Sequence, residues 1–180
     1  MSTPKRFICP AVLTVALVSS LASAESPNLG TPVDPRDLAG WDISVLPDGA
    51  GLPAGGGTPA QGERIYAEKC VACHGEDGKG AAGLPLSPLF GGGKITDISA
   101  AMKTIANFWP YATTVFDFIR RGMPWTQPRS LTDDEVYALT AFILAKNKLI
   151  DDADTMNAET LPKVRMPNRD GFIVRFPDKI

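Results

Sequence analysis

An all-α fold is predicted for this 180-residue chain, and three observations predict it. Capping-box patterns beginning at Thr58 and Thr132 mark the starts of two helices. Between them, apolar residues over 115–119 recur at helical spacing. The remaining stretches hold most of the 17 glycines and 16 prolines, which leaves little room for other long elements.

The first helix is expected to begin at Thr58. Pro59 suits the first helical position, and Gln61 completes a T-x-x-Q capping box. Gly62 and Tyr66 share one face of this helix, which we expect to make a close crossing with the last helix. The same helix is expected to carry the cysteines of residues 70–74 on adjacent turns.

The middle helix is expected to begin near Pro110 and to stop at Gly122, with its apolar stripe at Val115, Phe118 and Ile119. The last helix should follow the capping box of residues 132–135, whose acids complement a helix N-terminus. Its apolar positions are Val136, Leu139, Phe142 and Ile143, and we expect Tyr137 or Phe142 to meet the first helix. Residues 76–93 are predicted to form a loop.

The run Cys70-Val71-Ala72-Cys73-His74 contains the only histidine and two of the three cysteines of the chain. A C-x-x-C-H run is typical of covalent attachment of haem c, in which both thiols add to the vinyl groups and the imidazole binds iron. A structural zinc site would need four ligands, and the sequence offers no second pair. A thioredoxin-like dithiol would follow a strand, whereas the flanks here are helical or glycine-rich. The motif therefore predicts one haem c, held by Cys70, Cys73 and His74.

The sixth iron ligand is predicted to be Met123. Without a second histidine, the methionine candidates are Met102, Met123, Met156 and Met166. Met123 lies 49 residues after His74, and Pro124 stiffens the loop that presents its sulfur. Met102 is expected to pack on a helix face and Met166 to lie in a tail. A haem closed by methionine favours electron transfer, so no catalytic residue is predicted.

Other residues are expected to surround the haem. The free ring nitrogen of His74 needs an acceptor, and the carbonyl of Pro88 or Pro85 is the candidate. Arg120 and Arg121 are candidates to neutralise the propionates, although ordinary packing or a solvated helix end is the favoured explanation for either one alone.

The N-terminus has the pattern of a secretory signal peptide. Lys5 and Arg6 precede an apolar run over residues 7–21, and a small-residue cleavage site ends at Ala24. We therefore expect cleavage after Ala24, a periplasmic location and no membrane span in the mature chain, because the run is shorter than the roughly 20 residues that a span needs. Removing residues 1–24 changes the formal charge from −2 to −4, which argues against nucleic-acid binding.

The predicted organisation is a signal peptide (1–24), an extended arm (25–57), the haem domain (58–150) and a C-terminal tail (151–180). Within the arm, Trp41–Leu46 alternates crudely and is predicted to form one short strand. Two flanking helices, a middle helix and long loops around one haem describe a class I cytochrome c fold.

Several sequence blocks carry a more specific resemblance. They are Trp41–Ile43, Pro47–Pro53, Cys70–His74, Phe108–Thr114, Arg120–Pro124, Leu131–Ala141 and Met166–Phe172. In these blocks the chain resembles the cytochrome subunit of the sulfane dehydrogenase of the Sox sulfur-oxidation system and of related sulfite dehydrogenases. The resemblance implies that Cys70 and Cys73 carry the haem and that His74 and Met123 bind its iron.

The resemblance also implies a partner, a molybdenum-cofactor dehydrogenase subunit that passes electrons to this haem. The chain is then a non-catalytic electron-transfer subunit that reduces a downstream cytochrome c. The arm and tail are expected to hold the partner, and the alternative for the arm is a linker whose Trp41 packs on its own domain. Some members of the family carry a second haem domain, whereas this sequence has one C-x-x-C-H motif. Two alternatives stay open: a free-standing carrier for an unrelated periplasmic dehydrogenase, and a small haem enzyme or sensor with an open iron site.

Overall fold

The structure, a computed structural model, describes residues 29–38, 40–81, 83–84 and 86–173. The predicted signal peptide and its cleavage site lie outside these ranges. The helices are α1 (Pro35–Leu38), α2 (Pro59–Lys69), α3 (Val71–His74), α4 (Ala112–Gly122) and α5 (Asp133–Lys146), and a 3-10 turn covers Leu161–Lys163. Two short strands, β1 (Gly56–Gly57) and β2 (Met156–Asn157), pair antiparallel. The predicted all-α class is confirmed, and none of the described helices has the length and apolar character needed to cross a membrane.

The capping box of α2 is present as predicted. The amide of Gln61 donates to the hydroxyl of Thr58 at 3.3 Å, and the side chain of Gln61 accepts from the amide of Thr58 at 2.8 Å. The helix then ends one residue before the motif, because Cys70 has φ −122° and ψ −33°. The prediction that one helix carries both cysteines is therefore wrong, since Cys73 lies on the separate four-residue helix α3.

The close crossing between α2 and α5 is confirmed. A Cβ on Gly62 would overlap the backbone of Ala138 and approach the Cβ of Phe142 to 2.7 Å. The ring of Tyr66 packs on that of Phe142, with the centroids 5.1 Å apart. Only glycine therefore allows the two helices to approach this closely. The second capping box, in which Glu135 and Thr132 exchange hydrogen bonds, starts α5 as predicted.

Helix α4 covers the predicted middle position, but its buried stripe differs from the prediction. Phe116 is fully buried, and its ring lies 4.4 Å from that of Tyr137 in α5. Phe118 is 52% exposed, so its place in the predicted stripe is wrong. The core uses positions 112, 115, 116 and 119 of this helix, which is the i, i+3, i+4, i+7 pattern of one helical face.

The described part of the tail belongs to the core. Met156, Leu161 and Met166 are 4%, 0% and 1% exposed, and all three lie in the main apolar cluster. The side chain of Asn168 donates to the carbonyl of Phe108 at 2.7 Å, which ties the end of the described tail to the segment before α4. These residues have no helical periodicity, because Met156 lies in β2, Leu161 in the 3-10 turn and Met166 in irregular backbone.

The arm contains no strand at Trp41–Leu46, so that prediction is wrong. Its backbone there meets no neighbouring strand among the described residues and is held by arginines instead. Arg121 donates to the carbonyl of Ile43 at 3.1 Å, and Arg129 donates to that of Gly40 at 3.2 Å. Alternating side chains alone do not make a strand when no second strand supplies the ladder of hydrogen bonds.

Candidate haem site

The two motif cysteines are free thiols in different surroundings. Cys70, at the junction of α2 and α3, is half-buried against the core, whereas Cys73 on α3 is exposed. Burial raises the pKa of the Cys70 thiol to about 11, so that this thiol is protonated at neutral pH. The exposed Cys73 and the half-buried Cys70, three residues apart, offer two sulfurs along one short helical turn.

The imidazole of His74 is half-buried at the end of α3. Burial lowers its pKa, so the ring is neutral at pH 7, which is the form that binds a metal. Its Nδ1 is buried and has no hydrogen-bond partner among the described residues. Nε2 is therefore the ring nitrogen assigned to bind a metal.

The expected backbone acceptor for His74 is not found at Pro88, which receives no hydrogen bond from the ring. Pro85, the other candidate, lies outside the described residues. The long glycine-rich loop after the motif does fold back on it, but it bonds to the motif backbone instead. The amides of Gly80 and Ala81 donate to the carbonyls of His74 and Cys73, both at 2.8 Å.

One side chain also reaches the end of the motif. The hydroxyl of Tyr66, in α2, donates to the carbonyl of Gly75 at 2.8 Å. The sequence assigns Tyr66 only to the packed face of α2. No local signal indicates the bond, because donor and acceptor lie nine residues apart across a break between helices.

Met123 directly follows α4, and its amide donates to the carbonyl of Ile119 at 3.0 Å. Its side chain is half-buried and packs against the core. The other candidates differ: Met156 and Met166 are buried, and Met102 is 61% exposed. Met102 lies in a loop, so the expectation that it packs on a helix face is wrong. Met123 remains the predicted iron ligand.

The arginines expected near the propionates have carboxylate partners within the chain. Arg120 pairs with Asp133 at 3.0 Å, and Arg121 pairs with Asp117 at 2.8 Å. The first pair connects α4 to the start of α5. The second lies within α4 and stabilises the last turn of that helix. Both arginines therefore have a structural role that needs no haem.

The residues at the motif fit a covalent haem. Two thiols three residues apart are followed directly by a neutral imidazole whose Nδ1 is buried. One neutral nitrogen donor next to two free thiols suits a metal that is bound in a macrocycle, to which the thiols can bond.

Comparisons with known proteins identify the family of the chain. The cytochrome c family profile matches residues 59–146. A chain in the crystal structure of the sulfane dehydrogenase SoxCD from Paracoccus pantotrophus is 39% identical, with a TM-score of 0.74. The match covers 85% of the present chain and 73% of the other.

Two thiosulfate dehydrogenases are also similar. Those of Stutzerimonas stutzeri (strain A1501) and Allochromatium vinosum are 34% and 32% identical over 119 and 137 residues, or 64% and 72% of this chain. The chain covers only 34% and 44% of the lengths of these two relatives.

The helical fold, the C-x-x-C-H motif and these matches define a class I cytochrome c, a class that binds haem c covalently. The predicted fold and family are confirmed. The chain belongs to the cytochrome c family, and within it to the group that includes the matched chain of the SoxCD structure.

Proposed function

We propose that this chain is a periplasmic cytochrome with a single haem c that serves as the electron-transfer subunit of a molybdenum-cofactor dehydrogenase. The dehydrogenase subunit oxidises sulfite or sulfane sulfur, and the haem passes the electrons to a downstream cytochrome c. The observation that carries this proposal is the 39% identity to a chain of SoxCD across 85% of the present chain.

In this proposal Cys70 and Cys73 would hold the haem by thioether bonds, and His74 and Met123 would bind its iron. The bound haem supplies a one-electron carrier. With both the imidazole and the thioether sulfur as ligands, the iron would be closed to the sulfur substrate, and the chain would only transfer electrons.

The closed iron site is tested by replacing its proposed sulfur ligand. Met123→Ala is expected to bind carbon monoxide at least about tenfold faster than the wild-type ferrous protein, because the sixth position is then open. Met102→Ala, which removes an exposed methionine, is the control and should behave as wild type. Rapid binding by the wild-type protein would instead support the alternative of an open-site haem enzyme or sensor.

The partner is tested on the native complex. We expect the chain to copurify with a molybdenum-containing subunit, and added sulfite or a sulfane-sulfur donor to reduce the haem within the turnover time of that complex. Absorbance of the ferrous haem, followed by stopped flow, gives the rate. Recovery of the cytochrome alone, with no reduction by either donor in the presence of the native extract, would support a free-standing carrier.

Thiosulfate is a second candidate substrate, because two similar proteins are named thiosulfate dehydrogenase. The same stopped-flow experiment includes thiosulfate as a third donor. Reduction by thiosulfate without any molybdenum subunit would favour this candidate over the electron-transfer role.

The arm is the proposed contact with the dehydrogenase subunit. Leu38, Trp41 and Leu46 are 47%, 84% and 53% exposed, although the backbone between them is held in place by Arg121 and Arg129. Ordered backbone beneath exposed apolar side chains is typical of an interaction surface.

This surface is tested with single substitutions. Trp41→Ala is expected to weaken copurification with the molybdenum subunit by about tenfold or more, as for an aromatic hot spot. Ile98→Ala, at an apolar residue outside the arm that is 54% exposed, is the control. Equal complex formation by both variants and wild type would place the contact elsewhere.

The periplasmic location is tested by N-terminal sequencing of the mature protein from a periplasmic fraction. We expect the first residue to be Glu25. A haem-bearing protein that retains residues 1–24 would contradict the proposed cleavage.

A further inference from the structure

The orientation of helix α3 depends on contacts outside it. The four residues Val71–His74 form too short a helix to be stable alone, and the backbone of Cys70 breaks its continuity with α2. His74 therefore lies on a segment that needs other parts of the chain to fix its direction relative to the helical core.

Three kinds of contact hold this segment. Cys70 and Val71, at its start, pack against the apolar core. The amides of Gly80 and Ala81 come from the loop that follows it, and a loop is itself adaptable. Among the described residues, Tyr66 provides the only side-chain hydrogen bond to the backbone of residues 70–75, at the carbonyl of Gly75.

Tyr66 is a rigid donor. It is 3% exposed, and its ring packs against Phe142 and Phe90 with centroids 5.1 and 6.0 Å away. Phe142 belongs to the α2–α5 crossing, so the ring is anchored on the best-packed part of the molecule. Burial raises the pKa of Tyr66 to about 12, and its hydroxyl therefore keeps the proton that it donates.

We propose that Tyr66 is the positioning residue for His74: its hydroxyl holds Gly75, and through Gly75 it fixes the imidazole plane against the haem. This inference rests on the proposed haem site and assigns a second role to a residue of the packed helix face. The hydroxyl has no other partner among the described residues.

Tyr137 offers a matched control. It is also a fully buried tyrosine, with a pKa raised to about 12 by burial, and its hydroxyl donates to a backbone carbonyl, that of Pro53, at 2.9 Å. Pro53 belongs to the arm and not to the haem motif. Phenylalanine at either position removes one hydroxyl and one such bond while keeping the ring.

The experiment compares Tyr66→Phe and Tyr137→Phe holoproteins with wild type. Both variants are expected to unfold at a slightly lower temperature. Only Tyr66→Phe should move the paramagnetically shifted haem methyl resonances of the ferric protein, which follow the orientation of the axial imidazole, together with the reduction midpoint. Replacing Tyr66 by 4-aminophenylalanine, which restores a donor, should return both readouts toward wild type.

Wild-type methyl shifts and midpoint in Tyr66→Phe would overturn the inference, as would equal changes in Tyr137→Phe. Should Tyr66→Phe fail to acquire haem, rescue of attachment by 4-aminophenylalanine supports the inference, and a lack of rescue overturns it. A colourless wild-type protein would instead overturn the proposed haem site, so the two proposals fail in distinguishable ways.

Discussion

Helix α5 and the arm both contain many apolar side chains, but only those of α5 are buried. Ten consecutive residues, Val136–Ala145, are buried in α5. In the arm, Leu29, Leu38 and Trp41 are 87%, 47% and 84% exposed. Apolar composition therefore does not by itself decide which segments form the core.

The surroundings explain the difference. Helix α5 is enclosed by α2, α4 and both strands, so that every face of it meets another element. The backbone of the arm accepts hydrogen bonds from Arg121, Arg129 and Tyr137, while Val45 and Leu52 touch the core. Burial stabilises α5, whereas hydrogen bonds hold much of the arm and leave Leu38 and Trp41 exposed.

The largest expected effect is on the free energy of unfolding, when the same leucine-to-alanine substitution is made in α5 and in the arm. Leu144→Ala, at a fully buried residue of α5, should lower the free energy of unfolding by about 3 kcal/mol, because it leaves a cavity. Leu38→Ala, in the arm helix α1, should change it by less than about 0.5 kcal/mol. Urea denaturation of the holoproteins measures both values, and similar losses would show that the arm is part of the cooperative core.

An intermediate effect is expected at the helix crossing. Gly62→Ala should lower the free energy of unfolding by about 2 kcal/mol, because its Cβ would collide with backbone atoms of Ala138. Gly122→Ala is the control, since a Cβ there meets nothing within 4 Å. In the control, alanine should be neutral or stabilise α4 by about 0.5 kcal/mol. Equal unfolding midpoints for the two variants would contradict the close crossing.

The smallest effect concerns the pH dependence at the start of α5. The ammonium of Lys69 bonds to Glu135 and holds the pKa of that carboxyl below its usual value of 4.5. A carboxyl with a lowered pKa stabilises the fold above its unfolded value, and the gain is lost as the pH falls through the lowered folded value. Because both side chains are partly exposed, we expect about 0.5 kcal/mol.

Glu135→Gln tests this contribution in urea titrations at about pH 7 and about pH 3. The variant should be less stable than wild type at the higher pH and nearly equal to it at the lower. A constant difference between the two proteins at both pH values would mean that the loss comes from the capping box rather than from the charge.

Local signals in the sequence predicted much of the helical framework. The capping boxes at Thr58 and Thr132 act within four residues, so they are visible without any tertiary information, and both are confirmed. The glycine at position 62 also indicated the crossing correctly, because few other roles suit a glycine inside a capped helix.

The failures have a common physical cause in long-range contacts. The exposure of Phe118 and the burial of Met166 depend on which other elements of the chain pack against them. At the site, the two thiols and the imidazole were visible as a short sequence motif. The hydrogen bond from Tyr66 to Gly75 was not visible, because it depends on the relative direction of α2 and α3, which no local pattern predicts.

The pairing of β1 with β2 places Gly56 beside Asn157, about a hundred residues later in the chain. During synthesis, the stretch that carries the cysteines leaves the ribosome long before Leu161 and Met166, which complete the interior. Closing so large a loop also delays folding. The thiols of the newly made polypeptide should accordingly stay accessible to haem until the last residues arrive.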